Sequence, residues 1–70
     1  MKKLTISYKL EGKEFPVYGV VANDAIIVDI MGRKVTKLIC RGFQVIGMDN
    51  TSITYASNEV YTQYKFTVTE

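Results

Sequence analysis

Histidine and tryptophan are absent from these 70 residues, cysteine occurs once, at Cys40, and proline once, at Pro16. Without histidine or a second thiol, the chain holds neither the usual nucleophile–base pair of covalent catalysis nor the ligand cluster of a zinc site. A lone cysteine excludes an internal disulfide, so a reducing cytoplasm is the expected compartment. No apolar run approaches the roughly 20 residues of a membrane-spanning helix, and no membrane association is expected. The Met1-Lys2-Lys3-Leu4 opening is basic, but Thr5, Ser7, Tyr8 and Lys9 break the apolar stretch that an export signal requires. The glycines at 12, 19, 32, 42 and 47 are dispersed, in none of the spacings that cradle a phosphate. Together these absences favour action by binding over action by chemistry, with no cofactor and no catalytic residue expected.

What is present describes one small domain over residues 1–70. A hydrophobic fraction of 47% against 23% charged residues is too apolar for a disordered tail, so the chain should fold. Its core is too small to enclose a drug-sized cavity of roughly 300 Å³ or more, so recognition is expected on a surface or between subunits. Nine Lys and Arg against seven Asp and Glu leave a net charge of only +2. The distribution is less even than the total. No acid lies between Ile30 and Met48, while Arg33, Lys34, Lys37 and Arg41 set four positive charges within nine residues.

Apolar residues recur every second position over much of the chain. Leu4, Ile6, Tyr8 and Leu10 alternate with Lys3, Thr5, Ser7 and Lys9, the period of a half-buried strand. After Glu11-Gly12-Lys13, Phe15, Val17, Gly19 and Val21 alternate with Glu14, Pro16, Tyr18 and Val20, which predicts a hairpin. Pro16, lacking an N–H, belongs at a strand start or a sheet edge. Asn23-Asp24 reads as a turn, Ala25 to Val28, apolar on both faces, as a central strand that continues through Asp29 and Ile30, Phe43 to Ile46 as a strand, Met48 to Thr51 as a turn and Ile53 to Tyr55 as another strand. In the last segment Val60, Thr62, Tyr64, Phe66 and Val68 would share one face.

Residues 33–41 decide the fold class. As a helix they place their four cations on one arc and Val35, Leu38 and Ile39 opposite, with Gly42 as the stop. As a strand they return from a turn at Met31-Gly32, which suits Val35, Thr36 and Ile39 and avoids two positive charges in a first helical turn. The strand is the expectation. It makes the protein all-β, a small meander of five or six short strands forming a compact barrel or sandwich; the alternative is α+β with one short helix near residues 33–41.

Cys40, beside Leu38 and Ile39, reads as a small buried or half-buried filler. Glu11, Glu14 and Asp24 read as solvated turn charges, and Asp29 as a cap or an outward-facing acid. The candidate partner-binding residues are the basic segment Arg33, Lys34, Lys37 and Arg41, whose cations suit phosphates or an acidic protein patch, and Tyr18 and Tyr61, placed on the wetter faces of their strands. Three functions fit. The first is a protein-binding inhibitor or adaptor, whose format resembles the small accessory proteins of phages and mobile elements that act by surface occlusion. The second is a nucleic-acid-binding β-barrel in which the basic segment contacts phosphate and aromatic residues stack on bases. The third is a homo-oligomer with a small-ligand site between its subunits.

Overall fold

The first two strands are joined by the shortest turn a hairpin allows. Leu10 and Lys13 pair across Glu11-Gly12, and both turn residues have positive φ, +52° and +82°, the conformation whose twist matches the flanking strands. The computed structural model describes residues 1–57 and 62–70. Along these the chain forms β1 (Lys2–Leu10), β2 (Lys13–Ala22), α1 (Asp24–Cys40), β3 (Gln44–Met48), β4 (Ser52–Ala56) and β5 (Thr62–Thr69). All the strands join one antiparallel sheet in the order β2-β1-β5-β4-β3, with α1 crossing between the two edge strands.

The protein is therefore mostly β, but the sheet is open and carries a helix on one face rather than closing into a barrel. Two expected strands are replaced by one helix. Ala25 to Ile30, expected as a central strand, and residues 33–41, expected to return as another, are both parts of α1, and Gly32 lies inside the helix rather than at a turn. Physical reasons for the helix lie at both of its ends. Asn23, expected in a turn, is the N-cap: its Oδ1 accepts a hydrogen bond from the Ile26 amide at 3.0 Å, and Asp24 adds a favourable negative charge to the first turn. With the helix starting at Asp24, Arg33 and Lys34 lie mid-helix, and the repulsion that counted against a helix there disappears. At the other end Gly42, φ +86°, donates to the Ile39 carbonyl while Phe43 donates to that of Leu38, a Schellman closure.

Burial follows helical spacing. Ile27 and Leu38 are buried, with Ile30, Met31 and Val35 packed beside them against Leu4, Ile6, Ala22, Phe43, Tyr55 and Phe66. Phe66 and Leu4 are the most completely enclosed large side chains. In register, Phe66 of β5 stands between Ile6 of β1 and Ile53 of β4, and its ring meets Tyr55 edge-on at a centroid distance of 5.7 Å. The opposite sheet face is mainly polar, with Thr5, Ser7, Lys9, Glu14, Ser52, Thr54, Gln63, Lys65 and Thr67 among its residues. Its buried Ser7 donates to Glu14 at 2.9 Å.

The alternation expected in β2 is broken by a bulge. Ile6 pairs with Tyr18 but Ser7 pairs with Pro16, so Val17 is the extra residue. Beyond it the faces exchange: Val20 and Ala22 pack on the core while Val21, expected there, is 61% exposed. The same shift puts Tyr18 on the helix side of the sheet, not on the wetter face. Cys40, expected to be a filler, is exposed in the last turn of α1. In the β3–β4 turn the Asp49 carboxylate accepts from the amides of Thr51 and Ser52, both at 2.8 Å, and from their hydroxyls.

Candidate functional site: a basic cleft between α1 and β2

The helix lies across the sheet so that one flank of its buried stripe overhangs β2. At about 100° per residue, Lys34, Lys37 and Arg41 fall on that flank, and Val28, Val35 and Ile39 on the other. Lys34 fixes the direction: its Nζ lies over the Tyr18 ring of β2, 5.3 Å from the centroid. Between the two elements opens a cleft of about 300 Å³, floored by Ile6, Leu38, Tyr64 and Phe66, walled by Val17 and Tyr18, and rimmed by Lys34, Lys37 and Arg41. A cleft of that volume was not expected in so small a core. The bulged Val17 is one of its lining residues, and the cleft is half-open to solvent.

Of the sequence candidates, the structure brings Tyr18, Lys34, Lys37 and Arg41 to this one place. Arg33 is apart from them: it points from the outer face of α1, where its guanidinium pairs with Asp29 at 3.1 Å. Tyr61 lies outside the described residues, as do Glu59 and Val60. Sequence reasoning missed the apolar floor. The period-2 patterns of Ile6, Tyr64 and Phe66 mark core positions, but nothing in them says that a helix leaves part of that core open to a rim of cations.

The chemistry of the cleft is one-sided. Its lining residues include no carboxylate, and Lys34, Lys37 and Arg41 form no ion pair among the described residues. Lys37 stands in the last helical turn, where a positive charge also offsets the C-terminal end of the helix dipole. Arg41, the C-cap residue, is placed to do the same, and Lys34 is held over the Tyr18 ring. The site therefore offers ammonium and guanidinium donors, a tyrosine ring and an apolar floor: the complement of an anion attached to an apolar group. Among the described residues, no cluster of His, Cys, Asp or Glu could hold a metal ion, and no helix is long and apolar enough to cross a membrane. Comparison with family models, curated proteins and solved structures found no match.

Proposed function

We propose that this chain is a non-enzymatic protein-binding module, an inhibitor or adaptor, whose contact surface is the α1–β2 cleft. The partner presents an acidic segment carrying an apolar side chain: the side chain enters the cleft and the carboxylates meet Lys34, Lys37 and Arg41. The observation that supports this reading is the exposed cationic rim, free of ion pairs among the described residues, joined to a tyrosine over an apolar floor. Tyrosine and arginine are the residue types in which interface energy concentrates, and a half-open cleft of about 300 Å³, at the small end of the ligand-pocket range, has room for one or two side chains. A protein stands ahead of nucleic acid because the cations gather round one concave spot rather than along a stripe, and because the net charge is only +2. A site of binding groups without reactive ones is suited to surface occlusion of a target in the cytoplasm, as in the phage accessory proteins whose format this chain shares.

The test is capture from a lysate of the native host, with and without nuclease, using the tagged protein, its K34E/K37E/R41E variant and Tyr18→Ala. A stoichiometric protein that survives nuclease, is lost with the charge-reversed variant and is weakened at least about tenfold by Tyr18→Ala supports the proposal. Equal capture by all three forms would remove the cleft from the interface. Nuclease-sensitive recovery of nucleic acid that falls steeply with salt would replace the protein by a polyanion.

A further inference from the structure

The two edges of the sheet are built differently. β2 carries Lys13 and Glu14 at its start, Pro16 without an N–H, and the bulge at Val17, all devices that discourage strand addition. The other edge, β3, has neither charge nor proline, and all five of its residues are exposed. Its bulge at Ile46 leaves one more apolar side chain in solvent, 56% exposed.

The flank of α1 on that side matches it. Since Lys34 and Tyr18 hold the cationic flank over β2, the flank bearing Val28, Val35 and Ile39 is turned toward the β4–β3 half of the sheet. Register places Val45 opposite Tyr55 and Met48 opposite Ile53, so both stand on the helix side. The helix does not cover them: Val45 is 49% exposed and Met48 70%, beside Val28 and Ile39 at 69% and 60%.

We propose that this face is a two-fold interface between two copies of the chain. β3 pairs antiparallel with β3 of the second copy, joining two sheets into one, while Val28 and Ile39 of each helix pack with Val45 and Met48 around the axis. A second copy fits for three reasons. An antiparallel edge is self-complementary under a two-fold operator. The segment from Gly42 to Met48 is uncharged, so the pairing opposes no like charges, whereas an acidic or basic partner would find no counter-charge in it. From their fractional exposures, Val28, Ile39, Val45, Ile46 and Met48 present on the order of 500 Å² per copy, and the strand backbone adds to this. The total of about 1,000 Å² or more reaches the lower limit for a specific interface. The dimer carries its two basic clefts on the same face, at its two far edges, and so can engage two acidic segments.

Sedimentation equilibrium from about 1 µM to about 500 µM reads the outcome, a range that covers the weak association expected of an interface at the lower size limit. The mass should rise from monomer to dimer over this range. Ile46→Lys on the strand and Ile39→Lys on the helix should each weaken association at least about tenfold while circular dichroism and melting stay unchanged; Lys65→Ala on the polar face should leave it intact. A monomer at every concentration would overturn the proposal, as would a dimer indifferent to both lysines.

Discussion

Replacing Asn23 by alanine is the most direct test of why residues 24–31 are helical. In the folded protein Asn23 adopts φ −75° and ψ 168°, outside the helix, and its Oδ1 takes the Ile26 amide proton at 3.0 Å. Both residues are exposed, so water can replace the lost acceptor and the cost is an ordinary cap's, about 1 kcal/mol. A 70-residue domain has about 4–10 kcal/mol of stability in all, so the change removes about a tenth to a quarter of it. In a domain of this size that corresponds to a fall in Tm of about 4–8 °C. The assay is thermal unfolding at 222 nm with amide hydrogen exchange at Ile26. Asn23→Asp should hold the wild-type Tm, Asn23→Gly should cost only a few tenths of a kcal/mol, and Asn23→Ala should be lowest, with faster exchange at Ile26. The order matters more than the size, because glycine above alanine at a residue of negative φ is the mark of an N-cap. Equal melting of the alanine and aspartate variants, with unchanged exchange at Ile26, would refute the capping argument.

Two further outcomes follow from the turns. Gly42→Ala puts a Cβ on a residue held at φ +86°; it meets no neighbouring atom, so the expected loss, about 1–2 kcal/mol by urea unfolding, comes from backbone conformation alone, and an unchanged midpoint would count against the Schellman closure. Asp49 is held below the ordinary carboxylate pKa, chiefly by the Thr51 amide and then by the Ser52 hydroxyl and amide. Because its folded value is the lower one, its contribution is complete above the unfolded value and is lost as pH falls through the folded value. Stability of the wild type should therefore fall more steeply than that of Asp49→Asn on acidification below the ordinary carboxylate range; parallel profiles would exclude the turn as the cause.

The central strands were the most legible part of the sequence. Leu4 and Ile6 against Thr5 and Ser7, and Tyr64 and Phe66 against Lys65 and Thr67, keep period 2 because one face is packed and the other is polar. The helix was hidden by its own start. Ala25-Ile26-Ile27-Val28 is apolar and largely β-branched, and Asn23-Asp24 serves a turn as well as a cap; the 3.6 period emerges only when Ile27, Met31 and Leu38 are read together. The Val17 bulge was illegible for a different reason: β2 alternates cleanly in the wrong phase, and only pairing with β1 shows where one residue is skipped. For the candidate site, Tyr18 and the cations could be singled out separately. Their meeting depends on which flank of α1 overhangs β2, a relation between segments that no local pattern carries.

The position of β5 in the middle of the sheet has a consequence for how the molecule comes into being. β1 and β2 form one local hairpin and β3 and β4 another, but neither touches the other as a strand; β5 lies between β1 and β4 and pairs with both. Lys3 pairs with Thr69, so the sheet is completed by contacts between positions far apart along the chain. On a ribosome that has not yet released residues 62–69, the two hairpins have no strand to join them, α1 can pack only on the β1–β2 hairpin, and the enclosed ring of Phe66 is missing from the core. Completion of the sheet therefore waits for residues 62–69 and rests on long-range pairing, the kind of contact that slows folding.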